Sequence, residues 1–338
     1  MNSATWSSPS NIALIKYWGK YPVQLPANPS VSFTLSECAT TTTLEWTAGN
    51  GSIQLFLDGT ERPDFLPKVQ AFFERNHDCF PYWQSYNYVI RTSNSFPHSS
   101  GIASSASGMS ALALCCMSMK EAIQGGPVAN FFEQASEAAR LGSGSGSRSV
   151  YGPLAVWGKH ADVPASDDKF AVPYSAVAPV FTTFQDTVLL VDKGEKKVSS
   201  TVGHDLMNGH PYAESRFNHA HQHMSELLDA MKNGDLATFG AIVEREALTL
   251  HAMMMASDPY FILMRPNTLH IIEAIWEFRK TTGIHVYFTL DAGANVHVLY
   301  PEADKEAVLT LINHKLTQYC KDKSYICDVV GAGPKQLK

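Results

Sequence analysis

The segment from Pro97 to Gly108 consists mostly of serine, glycine and alanine and could bind an anion. Small side chains let backbone N–H groups approach a phosphate closely, and serine hydroxyls add further donors. The apolar residues that follow, from Met109 to Met119, recur at helical spacing, so the segment would lead into a helix whose N-terminus attracts negative charge. The pattern therefore predicts a phosphate site, and a flexible Gly/Ser linker is the alternative.

A second run of small residues lies between Arg140 and Arg148. Glycine and serine alternate through it and offer backbone donors and hydroxyls, and Arg148 can bind a carboxylate or phosphate with two parallel hydrogen bonds. Two such segments in one chain indicate two anionic ligands, namely a nucleotide and a second phosphorylated or carboxylated molecule. A flexible loop is the alternative for this tract.

The Ser-rich segment contains no lysine, so the charge that neutralises a phosphate must come from elsewhere in the chain. Lys16 and Lys20 flank an aromatic pair, either at helical spacing or close together on a tight turn before Gly19. They could hold a polyphosphate or a carboxylate. The alternative is a surface strand with solvated lysines.

Asp291 follows an apolar strand pattern and precedes Gly293. A carboxylate at such a strand end can be held rigidly and still face a cleft, as a general base requires. An ordinary hairpin-turn aspartate has the same local sequence, so both interpretations stay open.

The histidines and cysteines point less clearly to chemistry. His219, His221 and His223 could suggest a metal site, but no acidic residue lies beside them at ligand spacing, so a solvated helix face is the preferred interpretation. The six cysteines form no Cys-x-x-Cys pair, and Cys115 and Cys116 are expected to be buried free thiols.

The composition excludes several classes of protein. The chain has 338 residues, 45% of them hydrophobic and 17% charged, with a formal net charge of −6. These values argue against disorder and against a nucleic-acid-binding protein, and the length allows two lobes or one large domain. We find no basic-then-apolar leader and no apolar run near the ~20 residues that span a bilayer, so a cytoplasmic protein without membrane contact is expected.

The elements that must position these residues change in character along the chain. Strands are predicted over 31–47, 53–57, 86–91, 151–157, 187–191, 285–290 and 295–300. Helices are predicted over 67–76, 109–119, 131–141, 213–232, 235–256, 259–282 and 302–319. A β-rich first half followed by a helix-rich second half predicts an α+β fold.

Five blocks of the sequence together resemble the diphosphomevalonate decarboxylase family, within the superfamily of galactokinase, homoserine kinase, mevalonate kinase and phosphomevalonate kinase. The blocks are NIALIKYWGK at 11–20, SFPHSSGIASSASG at 95–108, GSGSGSRS at 142–149, VSSTVGH at 198–204 and LDAGAN at 290–295. They occur in family order across nearly the whole chain. KYWGK together with GIASSASG and a late DAG is specific to the decarboxylases, whereas the Ser-rich block alone would indicate only the superfamily.

The resemblance implies a two-lobed fold and a reaction. A β-rich N-terminal ATP-binding domain would span 1–180, a helix-rich C-terminal domain with an antiparallel sheet would span 181–338, and the active site would lie in the cleft between them. ATP would phosphorylate the tertiary 3-hydroxyl of (R)-5-diphosphomevalonate, and loss of phosphate and CO2 would then form isopentenyl diphosphate in the mevalonate pathway of isoprenoid synthesis.

The resemblance also implies roles for individual residues. Asp291 would act as the base for the 3-hydroxyl or orient it, and Lys16 would be the charge partner of Asp291. Asn11 would help to hold Asp291 and Lys16 in place. Arg148 would bind the substrate carboxylate, and Arg62 and Thr201 would lie near the substrate diphosphate. The full set of predicted substrate-binding residues is Tyr17, Trp18, Gly19, Lys20, Arg62, Ser143, Gly144, Ser145, Gly146, Ser147, Arg148 and Thr201. The ATP phosphates would be held with Mg2+ by Ser95, Pro97, Ser100, Gly101, Ala103, Ser104, Ser105, Ser107 and Gly108.

The chain departs from the family pattern at three places. Tyr21-Pro22 replaces a common Arg-Asp, Asn28-Pro29-Ser30 replaces Asn-Ser-Ser, and Ser147 replaces a cysteine. The first change removes a cation from the substrate-phosphate end, so a phosphomevalonate decarboxylase and a mevalonate 3-kinase-like enzyme stay open as alternatives. A catalytically silent nucleotide-binding module is the alternative from another class. A homodimer is a further implication of the resemblance.

Overall fold

The structure, a computed structural model, describes residues 2–97, 102–192 and 200–338, and only the backbone of residues 200 and 201. The strands are β1 Asn2–Ala13, β2 Lys20–Tyr21, β3 Leu25–Pro26, β4 Ser30–Ala48, β5 Ile53–Leu57, β6 Thr60–Glu61, β7 Tyr86–Asn94, β8 Leu154–Trp157, β9 Ala171–Pro173, β10 Gln185–Leu189, β11 Tyr287–Thr289, β12 Val296–Tyr300, β13 Tyr325–Val329 and β14 Lys335–Gln336. The fold is α+β, as the sequence predicts.

The helices are α1 Leu66–Arg75, α2 Ser104–Gln124, α3 Phe131–Gly142, α4 Ser200–Asp205, α5 Ala213–Asn233, α6 Leu236–Met255, α7 Pro266–Thr282 and α8 Lys305–Leu311. A 3₁₀ helix spans Gly144–Val150 directly after α3. Within the described ranges, no helix is long and apolar enough to cross a membrane.

The first sheet has the strand order β14-β1-β4-β7-β5-β6, with β8 and β9 joined to the beginning of β4. Its neighbouring strands are antiparallel except for β5 and β7, which run parallel. Apolar side chains alternate along β4, so Leu44 and Trp46 face the core that α1 and α2 cover. Helix α2 packs between this sheet and α3, which explains why apolar residues surround it on most sides.

The second sheet is antiparallel in the order β11-β12-β10-β13 and is covered by helices of the second half. The two sheets share a hydrophobic core in which Phe33 of β4 packs near Phe184 and Phe239. Strand β14 returns to the first sheet and pairs with β1. Because the core and β14 both connect the two halves, a domain boundary between 180 and 181 stays a prediction.

The structure corrects some element boundaries. Helix α7 begins at Pro266 and not at Pro259. The hydroxyl of Thr268 accepts a hydrogen bond from the backbone N–H of Arg265, and this capping interaction fixes the start of the helix at Pro266. The segment predicted as one helix over 302–319 consists of consecutive 3₁₀, α and π pieces. Strands β1 and β13 were not predicted.

Candidate active site

Lys16 and Asp291 form an ion pair between the two halves of the chain. The ammonium Nζ lies 3.1 Å from Oδ1 of Asp291, although the residues are 275 positions apart. The Lys16 side chain is 1% exposed and that of Asp291 is 26% exposed, so the carboxylate is the member that faces the solvent. The interpretation of Lys16 as a solvated lysine on a surface strand is therefore wrong. Lys16 lies beyond the end of β1, in a segment that is not helical.

Burial and charge act in opposite directions on the Lys16 ammonium. Desolvation lowers its pKa, and the carboxylates of Asp291 and Glu246 only partly restore it, so the pKa of Lys16 is below its ordinary value. The backbone carbonyl of Asp291 accepts a hydrogen bond from Nε2 of His251 at 3.1 Å. Burial lowers the pKa of His251 to about 4, so this ring is neutral near pH 7. The Lys16 ammonium is thus held in a poorly solvated environment.

Arg148 is a buried cation with neutral partners. Its guanidinium donates to the Ser30 hydroxyl at 2.6 Å, to the Ser32 hydroxyl at 3.1 Å and to Oδ1 of Asn11 at 3.2 Å. Burial lowers the pKa of Arg148 to about 10. Among the residues the structure describes, no carboxylate forms an ion pair with it. A buried guanidinium so placed is suited to an anionic ligand.

Asn11 connects β1 to the Gly–Ser tract. Its amide nitrogen donates to the Ser149 hydroxyl at 2.7 Å and to the Ser145 carbonyl at 3.1 Å, while its oxygen accepts from Arg148. Asn11 therefore orients Arg148 and the tract together, and its role at the Lys16–Asp291 pair stays a prediction.

The Gly–Ser tract is a buried 3₁₀ helix, so its interpretation as a flexible loop is wrong. Two of its glycines are needed for close packing. A Cβ on Gly144 would lie 2.8 Å from the Tyr17 hydroxyl, and one on Gly146 would lie 3.1 Å from the Ala139 carbonyl. The hydroxyl of Ser147 is buried and donates to the Gly144 carbonyl at 2.9 Å.

Two serines of the tract, Ser143 and Ser145, are partly exposed. Ser143 also lies close to the Ser-rich segment, since its Oγ is 3.3 Å from Oγ of Ser105 at the start of α2. The two anion-binding segments predicted from the sequence therefore meet.

The Ser-rich segment begins α2, so a linker is the wrong interpretation for residues 104–108. Ala103, the N-cap residue, adopts a left-handed conformation with φ 41° and has no side-chain group that could cap the N-terminus. Ser105 is exposed, Ser104 and Gly108 are partly exposed, and the backbone N–H groups of this first turn can bind an anion. Ser107 is buried instead, with its hydroxyl 2.6 Å from that of Thr40.

Of four further predicted ligands of the nucleotide, the structure describes two. Ser95 is exposed and accepts from the Ala39 N–H at 2.9 Å, and Pro97 is exposed beside it. Ser100 and Gly101 lie outside the described residues.

A cavity of about 120 Å³ lies beside the start of α2, and no pattern in the sequence predicted it. Apolar side chains of β5, β7, α1 and α2 line it, including Leu55, Ile90 and Met109, and Ser104 and Gly108 also belong to its wall. Lys68 also belongs to the wall of this cavity, and desolvation by the surrounding protein lowers the pKa of its ammonium. The cavity can hold a flat apolar group next to the anion site.

His204 was not predicted as a site residue, although it ends one of the five sequence blocks. Its ring lies 4.2 Å from that of Tyr17 and 4.7 Å from that of Trp18, and its Nδ1 accepts the Gly19 N–H at 3.0 Å. Because Nδ1 accepts, Nε2 carries the proton, and burial lowers the pKa of His204 to about 3. The neutral ring therefore fixes the segment that follows Lys16.

The remaining residues of this segment differ in access. Trp18 is buried among Leu250, Met253 and Met254 and so has a packing role. Lys20 forms an ion pair with Asp205 at 3.5 Å. Gly19 has φ +96°, where a side chain would be strained and its Cβ would lie 2.7 Å from Phe217.

Two predicted residues near the substrate diphosphate lie elsewhere or are only partly described. Arg62 follows the edge strand β6, pairs with Asp64 at 2.7 Å and stacks on Phe65, so the structure does not bring it to Lys16 and Asp291. The backbone of Thr201 lies in α4, the helix that carries His204, and its side chain is outside the description.

The three histidines of α5 do not share one environment. His219 and His221 are exposed, as a solvated helix face requires, but His223 is buried and its Nδ1 lies 2.6 Å from Oε1 of Glu246. The prediction of a solvated face is therefore wrong for His223. In the described part of the chain, no three His, Cys, Asp or Glu side chains are grouped as metal ligands.

A buried lysine paired with a partly exposed aspartate, a buried arginine without a carboxylate partner and the start of α2 beside a cavity together indicate an α+β enzyme of anionic small molecules. Comparison with known sequences is more specific. Residues 8–171 match the diphosphomevalonate decarboxylase-like N-terminal domain, and residues 187–335 match the mevalonate 5-diphosphate decarboxylase C-terminal domain. The chain belongs to the diphosphomevalonate decarboxylase family.

Individual relatives agree along nearly the whole chain. The diphosphomevalonate decarboxylases of Candida albicans and Rattus norvegicus are each 29% identical, covering 92% of this chain and 88% and 79% of their own lengths. The mevalonate diphosphate decarboxylase of Staphylococcus aureus has a TM-score of 0.86 at 26% identity, covering 99% of this chain and 98% of its own. A solved complex of MDDEF with MVAPP, AMPPCP and magnesium has a TM-score of 0.85 at 28% identity and covers 99% of both chains.

Proposed function

We propose that this protein catalyses the ATP-dependent decarboxylation of (R)-5-diphosphomevalonate to isopentenyl diphosphate, with release of ADP, phosphate and CO2. The observation that carries this conclusion is the contact between the buried Lys16 ammonium and the Asp291 carboxylate. Within a family of decarboxylases, it provides a base and a cation at one reacting centre.

The first step transfers the γ-phosphoryl group to the tertiary 3-hydroxyl, because hydroxide is a poor leaving group and phosphate is a good one. Asp291 accepts a hydrogen bond from this hydroxyl and takes its proton as the oxygen attacks phosphorus. Lys16 keeps Asp291 ionised and in place, and its own positive charge offsets negative charge that develops on the transferring group.

In the second step the C–O bond to the 3-phosphate breaks, and the electrons of the bond between the carboxylate carbon and C2 form the new double bond. CO2 and phosphate leave. Arg148 binds the substrate carboxylate with its guanidinium and aligns the bond that breaks with the departing phosphate. The electrons are received at C3 as the phosphate departs, so the reaction requires no electron-sink cofactor.

ATP is the second substrate, and we assign its phosphates to the first turn of α2 and its adenine to the adjacent cavity. The uncapped N–H groups and the accessible hydroxyls of Ser104 and Ser105 support this assignment, as does the apolar lining of the cavity. These hydroxyl oxygens fit Mg2+, which would be held largely by the nucleotide's own phosphate oxygens. When bound, the ion neutralises phosphate charge.

Replacing Lys68 with methionine should raise the KM for ATP about tenfold and change the KM for diphosphomevalonate by less than about twofold. The variant keeps the packing of the aliphatic stem but removes the cation at the cavity. Steady-state kinetics with each substrate varied in turn provide the measurement. Lys159→Met, at a side chain that is 68% exposed, is the control. An unchanged KM for ATP would argue against the assigned nucleotide site.

Replacing His204 with phenylalanine should raise the KM for diphosphomevalonate about tenfold, with a smaller change in kcat. Phenylalanine keeps the ring contacts with Tyr17 and Trp18 but cannot accept the Gly19 N–H, so the substrate-binding segment loses its anchor. His204→Asn offers an oxygen near the position of Nδ1 and should recover part of the affinity. Equal KM values for wild type and both variants would show that His204 does not order the segment.

One assay separates the proposed function from its alternatives. The protein is incubated with ATP and, in separate reactions, mevalonate, mevalonate 5-phosphate and the diphosphate, while ADP and trapped CO2 are measured. CO2 release with the diphosphate supports the proposal, and release only with the monophosphate would identify a phosphomevalonate decarboxylase. ADP without CO2 would identify a kinase, and nucleotide binding without acceptor-dependent turnover would identify a silent binding module.

The wider organisation of the protein is also a proposal. A division into domains 1–180 and 181–338 with the site in a cleft between them is supported by the ion pair, since Lys16 follows β1 and Asp291 follows β11. A cytoplasmic location is supported by six free cysteines. A homodimer is proposed on the family resemblance, and light scattering would detect it as twice the chain mass of 37.1 kDa.

A further inference from the structure

The backbone of Lys16 is held on both sides by buried side chains. Its N–H donates to Oε2 of Glu246 at 2.9 Å, and its carbonyl accepts from Nη2 of Arg216 at 3.0 Å and from the Asn28 amide at 3.0 Å. Lys16 lies between β1 and β2, where no strand partner can bind these groups. Glu246 therefore binds a backbone N–H that would otherwise be buried without a partner, and Arg216 shares the Lys16 carbonyl with Asn28.

Glu246 and Arg216 also bind each other. The guanidinium of Arg216, on α5, contacts both carboxylate oxygens of Glu246, on α6, at 2.8 and 3.1 Å, and both side chains are fully buried. Burial alone would raise the pKa of Glu246, but Arg216 and His223 outweigh it, so that pKa lies below its ordinary value and the carboxylate is ionised.

An ion pair that only joined α5 to α6 would need no hydrogen bond to the first half of the chain. Here one oxygen of Glu246 and one nitrogen of Arg216 each make a further hydrogen bond, and both bonds end on Lys16. We propose that Glu246 and Arg216 are positioning residues for the decarboxylation, which hold Lys16 so that its ammonium meets Asp291. This inference rests on the proposed function.

The physical reason is the flexibility of lysine. Its ammonium sits on a four-carbon stem, so a small movement of the Lys16 backbone would move the charge away from the reacting atoms. Glu246 also acts on the charge directly. The ionised carboxylates of Asp291 and Glu246 favour the protonated ammonium, the Arg148 guanidinium opposes it, and His251 on α6 is neutral nearby. The carboxylate of Glu246 is itself paired with the Arg216 guanidinium.

The test compares two substitutions that affect Lys16 with one that does not. Glu246→Gln keeps the shape of the side chain and removes its negative charge. Arg216→Lys keeps a cation beside Glu246 but removes the guanidinium nitrogen that also donates to the Lys16 carbonyl. His223→Asn weakens the same cluster and leaves both Lys16 contacts in place. For each variant, kcat and both KM values are measured per folded protein, together with thermal stability and the pH profile of kcat.

We expect kcat to fall at least about tenfold in Glu246→Gln and Arg216→Lys, with the KM for ATP within about twofold of wild type. The alkaline limb of the profile should move to lower pH in Glu246→Gln, because the Lys16 ammonium loses a negative neighbour and so loses its proton at a lower pH. His223→Asn should lower stability but not kcat. A purely structural role would lower stability in all three variants without changing kcat or the pH profile.

The outcomes separate this inference from the proposed function. If the wild type releases CO2 and both Lys16-contacting variants keep its kcat and pH profile, the positioning role is overturned and the function stands. If Glu246→Gln does not fold, Arg216→Lys decides by the same criteria, since it keeps the buried charges paired. If the wild type releases no CO2 from diphosphomevalonate, the function fails and this inference falls with it.

Discussion

Replacing Asp291 with asparagine should lower kcat by about 10²–10⁴-fold, the range that general-base catalysis supplies. The substitution is nearly isosteric and removes the charge that takes the proton of the 3-hydroxyl. It also leaves the buried Lys16 ammonium with one carboxylate neighbour fewer, so the pKa of Lys16 should fall further below its ordinary value. The KM for ATP should hardly change, because the nucleotide is assigned to the start of α2.

Steady-state rates of CO2 release and ADP formation provide the measurement, and circular dichroism establishes that the variant is folded. Asp58→Asn is the matched control, because Asp58 lies in the turn between β5 and β6 at φ 50°, a conformation that asparagine tolerates. If Asp291→Asn kept more than about a tenth of the wild-type rate, an effect under ~1.4 kcal/mol, Asp291 would not be the base.

Replacing Arg148 with lysine should slow CO2 release about 100-fold while phosphoryl transfer is affected less. The guanidinium is oriented by Ser30, Ser32 and Asn11, and a lysine ammonium has only three N–H donors, too few to bond these three partners and also form two parallel bonds to a carboxylate. The substrate carboxylate would then be poorly aligned after its 3-hydroxyl has been phosphorylated. The phosphorylated intermediate should therefore accumulate.

A single-turnover experiment separates the two steps of this variant, because ADP reports phosphoryl transfer and trapped CO2 reports bond cleavage. Arg91→Lys is the control, since Arg91 is exposed on β7 and its guanidinium lies over Phe56. Equal slowing of ADP and CO2 formation would contradict a specific role in decarboxylation and would favour a role for Arg148 in binding alone.

The sequence predicted the fold class because most elements have a local signal. The alternation along β4 and the helical period of α2 and α5 do not depend on what these elements pack against. Strand β1 lacks such a signal. Ser8 and Ser10, at its core-facing positions, are fully buried and make hydrogen bonds to Ser110 and to the Ile102 carbonyl, so polar residues lie where an apolar pattern is expected.

The family, the α+β class and the residues expected to carry chemistry were all predicted from sequence, because Lys16, Arg148 and Asp291 lie in short blocks with their own spacing. Whether such residues meet depends on contacts between distant segments, so the contact between Lys16 and Asp291, and the position of Arg62 after the edge strand β6, could be found from the three-dimensional structure alone.

Tertiary structure alone also identified Glu246, Arg216 and His204. The sequence around a charged residue on a helix does not show whether that face of the helix is solvated or buried. Only the packing of the helix against other elements distinguishes a solvated charge from a buried one. Glu246 and Arg216 are buried because α5 and α6 pack together beside Lys16. There the two side chains form an ion pair with each other, and each also makes a hydrogen bond to the Lys16 backbone.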